Sequence, residues 1–287
     1  MIITLEEKKI HAHLILIRRI GAATALTLLS GCTPAAKDTV QESLSQKPSS
    51  RIHLISREIS NWLGALSYQE VLEQYESKKN LDAQEQTLVR GRRIAARIIE
   101  QAVFLYPFSK SWEWELHVIE SDEFNANCRA GGKMIVNSYV LEDDRFDDHQ
   151  VAMVIGHEIA HALLEHSRSS YGRLAVALGG GLVMSQSFKM GRIRWDTVAN
   201  GIQSLSLPID RQDEREADLL GLALMTKAGF DPVKGANIWQ TTAYLPAGSK
   251  INTRLELYES SHPTDQERLE FLSKAASQFA QSKVIHK

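Results

Sequence analysis

Between residues 151 and 166 the chain reads Val-Ala-Met-Val-Ile-Gly-His-Glu-Ile-Ala-His-Ala-Leu-Leu-Glu-His, and this stretch limits the fold more than any other. Val151, Val154, Ile155, Ile159, Ala162 and Leu163 recur at three- and four-residue spacing, which predicts a buried helix. One face lacks hydrophobes and carries His157 and His161 instead. Residues four apart on a helix sit one above the other, so the two imidazoles can close on one metal ion while Glu158, one step round, lies beside it. Gly156 and Ala160 keep the surroundings small, which suits a covered metal site better than a solvated polar face.

His157-Glu158-x-x-His161 has the spacing of the zinc protease motif, in which two histidines bind the metal and the glutamate is the general base. A catalytic zinc takes three protein ligands and leaves a fourth position for water, so a further ligand is required. Asp213-Glu214-Arg215-Glu216-Ala217-Asp218 opens a second helical pattern that runs to Met225 and stops at Gly229, with Asp231-Pro232 starting another. Glu214 and Asp218 share a face there, so one carboxylate can bind the ion while the other orients a ligand histidine from behind. Helical spacing turns Glu216 away from that face, as a surface charge. It likewise turns His166, five residues past His161, away from the metal, as a polar group at the helix end.

The rest of the chain is read around this centre. In a 287-residue chain, 43% hydrophobic and 24% charged residues with a net charge of −2 describe a globular protein, and no basic patch suits nucleic acid. Lys8, Lys9, Arg18 and Arg19 precede a short apolar run, Ile20 to Leu29, which reads as an export signal over residues 1–31. The run ends Leu29-Ser30-Gly31-Cys32, similar to the bacterial lipobox, in which the cysteine becomes the lipidated N-terminus. Thr33 after it favours the outer membrane by the same resemblance. Residues 32–50 are polar and form a flexible tether, and residues 51–287 are the folded domain. With Cys32 acylated only Cys128 remains, so no intramolecular disulfide is expected.

Within that domain, residues 51–110 carry two helical patterns, about Arg51–Lys78 and Ala83–Phe104, as packing helices. Arg90, Arg92, Arg93 and Arg97 read as a solvated face. The period then changes. Trp112–Ile119 and Lys133–Leu141 alternate as two strands joined by an irregular loop, which gives a small sheet beside the motif helix. An extended substrate can add itself to such an edge. Glu142, Asp143, Asp144, Asp147 and Asp148 cluster at the start of the motif helix, where its dipole favours carboxylates. The apolar, glycine-rich segment 174–184 is too short to span a membrane, and residues 189–207 leave room for a lid.

Taken together, His157-Glu158-x-x-His161, Glu214-x-x-Ala217-Asp218 and Ser261-His262-Pro263 with the following Arg268 resemble the zinc endopeptidase family that includes HtpX and the CAAX prenyl endopeptidases, in its periplasmic lipoprotein branch. The likeness spans roughly residues 110 to 272 and departs from the family pattern around Asn125–Gly132. It implies an α+β, mostly α, zincin-like domain with a catalytic core over 111–272 and one Zn2+ per chain. It further implies that His157, His161 and Glu214 are the ligands, that Asp218 braces a ligand histidine, and that Glu158 is the base. His262 is implied to act near the metal, as a plug or fourth ligand when closed or as a transition-state donor when open. The function expected is a membrane-tethered periplasmic endopeptidase acting on unfolded or misassembled envelope polypeptides. The competing expectation is a plugged metal-binding lipoprotein that assists outer-membrane protein assembly as a chaperone.

Overall fold

The motif helix can be hydrophobic nearly all round only if other elements cover every side of it, and the architecture does so. The computed structural model describes residues 53–142, 144–177, 211–243, 262 and 266–284, all within one compact unit, Ala35–Lys287. Along the chain these residues form α1 (Arg57–Ser77), α2 (Glu85–Leu105), a 3-10 turn at Pro107–Ser111, β1 (Glu115–Ile119), β2 (Ala126–Arg129), β3 (Lys133–Asn137), α3 (Ser138–Glu142), α4 (Asp148–Leu163), α5 (His166–Ala177), α6 (Arg211–Lys227), α7 (Pro232–Ala243) and α8 (Gln266–Val284). The fold is thus mostly helical with one small sheet, as expected. The leader, the tether, Cys32, most of the 174–184 segment and residues 189–207 lie outside the described residues. No described helix is long and apolar enough to cross a membrane.

Helix α4 is the hub, packed against α2, α6, α7 and β2, and Gln150 through Leu163 are all buried. Asp147 caps it: its side chain accepts from the backbone N–H groups of His149 (2.9 Å) and Gln150 (3.0 Å), and the Gln150 side chain accepts from the Asp147 N–H in return. This capping box uses one acidic residue of the cluster. Asp148, next in line, pairs with Arg90 at 2.9 Å and Arg93 at 2.7 Å.

Arg92, Arg93 and Arg97 of α2 are exposed and Arg90 is half-buried, so the face is solvated as expected, but its guanidinium groups also bond to other parts of the chain. Arg90 also donates to the carbonyls of Leu141 and Phe146, Arg92 donates to Leu116 O at 3.0 Å, and Arg97 donates to Ala228 O while its guanidinium stacks 3.9 Å from the centre of the Phe230 ring. Each reaches from α2 to another element, a role that helical periodicity does not mark. Arg90→Ala should lower stability by roughly 2–3 kcal/mol, because it strips donors from two carbonyls and a carboxylate at once. A fall in the urea midpoint with unchanged slope would show this; a shift within error would mean that these contacts carry no net stability.

The sheet also differs from the expected pair of strands. Its order is β1-β3-β2, with β1 parallel and β2 antiparallel to β3. The missed strand, β2, is only four residues long and lies in the supposed irregular loop. It turns into β3 through Gly131 (φ 87°) and Gly132 (φ 82°), and a Cβ at Gly132 would come within 2.7 Å of the Trp114 ring. Strand β3 ends at Asn137, short of the expected Leu141, because the Asn137 side chain donates to Glu123 O and the Ser138 hydroxyl bonds both the N–H and the C=O of Ser121. Those side-chain bonds favour the turn into α3 over continued strand. Cys128 is buried in β2, where burial and then the nearby Glu158 charge push its thiol pKa up.

Helices α4 and α6 cross at backbone contact. A Cβ on Gly156 would sit 2.9 Å from Gly221 O, and one on Gly221 would sit 2.7 Å from the His157 N. With no side chain between the helices at that point, the stretch of α4 that carries His157 and the stretch of α6 that carries Asp218 are brought close together.

Candidate metal centre

One turn of α4 presents His157 and His161, whose Nε2 atoms are 2.9 Å apart. Helix α6 brings Glu214 against them, with Oε2 3.5 Å from His157 Nε2 and Oε1 3.2 Å from His161 Nε2. His262 completes the group, its Nδ1 lying 3.0 Å from Glu214 Oε1 and 3.4 Å from His157 Nε2. All four residues are buried, and their donor atoms lie within 4.8 Å of one another. Glu158, only 4% exposed, stands beside the group with Oε1 3.7 Å from His262 Nε2.

This donor set fits a tetrahedral divalent cation. Bonds of about 2.0–2.1 Å place ligand atoms roughly 3.3 Å apart, close to the separations seen. Two imidazole nitrogens facing each other at 2.9 Å need a proton or a cation between them. Without a metal, burial would lower the His157 pKa, yet the charge of Glu214 and bonds to Asp218 and Glu214 raise it to about 9. His161 is driven well down by burial and by the His157 charge. Glu214, which burial alone would push up, is held far below the ordinary carboxylate value by the three histidines.

Behind the donors, Asp218 Oδ1 lies 3.0 Å from His157 Nδ1. Arg268 grips the other side of Asp218 with contacts of 2.8 and 2.9 Å and reaches Glu214 Oε2 at 2.6 Å. Sequence reasoning reached Arg268 only through the family resemblance. It missed Trp239 entirely, although the indole meets the His157 ring edge-on with centroids 5.9 Å apart and lies 5.3 Å beneath the Arg268 guanidinium. A tryptophan seven residues past Pro232, on the helix after α6, offered no motif to flag it.

His166 and Glu216 depart from their expected positions. His166 Nδ1 is 2.8 Å from His161 Nδ1, and Glu216 Oε2 is 3.6 Å from His166 Nε2. The expectation extended α4 through residue 166, but Glu165 adopts φ 58° and ends the helix, swinging His166 back toward the site. Arg57 at 2.6 Å and Arg168 at 3.0 Å hold the Glu165 carboxylate in that left-handed turn.

Residues 89–276 match the model of peptidase family M48. The chain belongs to that family. M48 peptidases are metal-dependent, so the buried histidine and glutamate cluster lies in a metallopeptidase domain. The chain is 27% identical to the mitochondrial metalloendopeptidase OMA1 of Saccharomyces cerevisiae over 235 residues, 78% of this chain and 66% of that protein. It is 32% identical to the Arabidopsis thaliana OMA1 over 164 residues, 56% of this chain and 31% of that protein. It is also 30% identical to the β-barrel assembly-enhancing protease of Escherichia coli K12 over 125 residues, 40% of this chain and 25% of that protein. The chain thus spans less than two thirds of the length of these M48 relatives.

Proposed function

We propose that the chain is a zinc-dependent endopeptidase of the bacterial envelope, tethered through lipid on Cys32, that hydrolyses unfolded or misassembled polypeptides. The observation that carries the reading is the burial of Glu158 beside the convergent His157, His161 and Glu214 donors, because an acceptor carboxylate there serves hydrolysis and serves simple metal storage not at all. His157, His161 and Glu214 would hold the ion. When bound, zinc supplies a Lewis acid and lowers the pKa of water toward about 7. Glu158 accepts the water proton and delivers it to the leaving amine nitrogen. Asp218 keeps His157 in the tautomer whose Nε2 lone pair faces the site. The edge strand β2, packed on α4, offers an extended substrate a partner for backbone hydrogen bonds.

The periplasmic and outer-membrane placement rests on the leader and the Leu29-Ser30-Gly31-Cys32 sequence. Within M48, kinship with the HtpX and CAAX branch rests on the motifs alone. A second reading, an assembly factor for outer-membrane proteins with a plugged site, draws on His262, whose ring sits on the donors where substrate or water would go. The name of the assembly-enhancing relative points the same way.

Cleavage of casein by the full chain in detergent, together with its zinc content, tests the first reading. Cleavage at one zinc per chain is the expected result, and zinc without cleavage of any unfolded substrate would favour the second. His262→Ala should retain zinc and raise casein cleavage several-fold if the ring acts as a plug. A fall in turnover at unchanged zinc content would instead make His262 a donor to the transition state.

A further inference from the structure

His166 is 2% exposed and its ring stands at 73° to that of His161, with the two Nδ1 atoms 2.8 Å apart. Its other nitrogen, Nε2, is buried without a hydrogen-bond partner. That atom faces two carboxylates of α6, Glu216 Oε2 at 3.6 Å and Asp213 Oδ1 at 3.9 Å. The three residues form a second cluster of metal-type donors behind the first, so they are either a second metal site or a support for the first.

Proton counting separates the two. A neutral imidazole carries one N–H. When His161 turns its Nε2 lone pair to a metal, its proton sits on Nδ1, and a 2.8 Å contact then requires His166 Nδ1 to accept. The single proton of His166 is thereby placed on Nε2, directed at Glu216 and Asp213. If His166 instead gave its Nε2 lone pair to a second cation, its proton would sit on Nδ1 and two N–H groups would collide at 2.8 Å. Two neutral imidazoles in this geometry serve one metal, never two. The gaps of 3.6 and 3.9 Å exceed hydrogen-bond length, so the carboxylates act on the His166 N–H chiefly through their charge.

We propose that His166 is a positioning residue that fixes His161 as a metal ligand by accepting its Nδ1 proton, with Glu216 and Asp213 holding His166 in the required tautomer. The proposal rests on the reading of His157, His161 and Glu214 as the zinc site. Helix α6 then orders both ligand imidazoles, His157 directly through Asp218 and His161 through His166, besides supplying Glu214 itself.

The test measures zinc affinity by chelator competition, zinc stoichiometry and the melting temperature of the metal-free form, on the full chain in detergent. The variants are His166→Phe, His166→Asn and the double variant Asp213→Asn/Glu216→Gln. Wild type should bind one zinc. His166→Phe should bind it about 10- to 100-fold more weakly, and His166→Asn, whose amide oxygen can accept from His161, should recover most of the loss. A purely structural role would lower the metal-free melting temperature of both variants and leave no selective rescue of affinity. If His166→Phe does not fold, the double variant decides, since weakening of several-fold is expected and unchanged affinity would overturn the proposal. Wild-type affinity in His166→Phe would overturn it as well, as would two zinc ions in wild type with one lost in that variant. A wild type that binds no zinc would overturn the zinc-site reading itself, and this assignment with it.

Discussion

Glu158→Gln is expected to lower casein cleavage by roughly 10²–10⁴-fold while the protein keeps its full complement of zinc. The substitution preserves shape and hydrogen-bonding reach and removes only the ability to take a proton. Glu158 lies beside the donors rather than among them: the four-residue cluster is formed by His157, His161, Glu214 and His262, and the Glu158 carboxylate stands 3.7 Å from His262 Nε2. Turnover and zinc content therefore separate in this variant. If zinc were lost along with activity, Glu158 would be a ligand and the proton-transfer role would have to pass to another group.

Asp218→Ala should have a large effect on two observables, the stability of the metal-free protein and its affinity for zinc. Asp218 is fully buried between His157 Nδ1 and the Arg268 guanidinium. Its removal leaves Arg268, 3% exposed, without its bidentate carboxylate partner and still in contact with Glu214. Breaking a buried ion pair from one side costs about 3–5 kcal/mol, and the freed guanidinium competes with zinc for Glu214. Stability of the metal-free form should fall by that amount, and zinc affinity by roughly 10- to 100-fold. The double variant Asp218→Ala/Arg268→Met divides the two effects: part of the stability should return, since the guanidinium deprived of Asp218 is gone, while the affinity loss through His157 should persist. Full recovery of zinc binding in the double variant would mean that Asp218 acts only as a counter-charge. The pH dependence has a definite sign. Burial would raise the Asp218 pKa, but Arg268 and His157 hold it below 3.8. Its contribution is therefore complete above the unfolded value and is lost as pH falls through the folded one.

The features that spacing could reveal were those in which one element carries the whole signal. His157 and His161 lie on one helical turn, Glu214 and Asp218 on another, and the local sequence specifies each pair. The features that stayed hidden join separate elements. Arg90 bonds to Asp148, Leu141 and Phe146, none of them near in sequence, and an arginine on a helix looks the same whether its guanidinium ends in water or on a carbonyl. His166 was obscured by a single left-handed residue: helical extrapolation past Glu165 sends the ring away, and nothing in the identity of a glutamate announces φ 58°. Strand β2 was too short for alternation to stand out over its four residues. One signal was present and unused. Asp147 followed three residues later by Gln150 marks the start of α4 to the residue.

The crossing of α4 and α6 at Gly156 and Gly221 has a consequence for which ions the site will accept. Backbone meeting backbone has no rotamer to change and no methylene to bend, so the crossing works as a fixed gauge on the gap between the histidine pair and Glu214. Side-chain contacts would let that gap widen for a larger guest; this one resists. Cations that prefer six or more oxygen ligands, calcium and magnesium among them, would have to spread the donors against this stop, and ions content with a compact tetrahedron would not. Selectivity at such a centre would then be set in part away from the donor atoms, by two residues with no side chain.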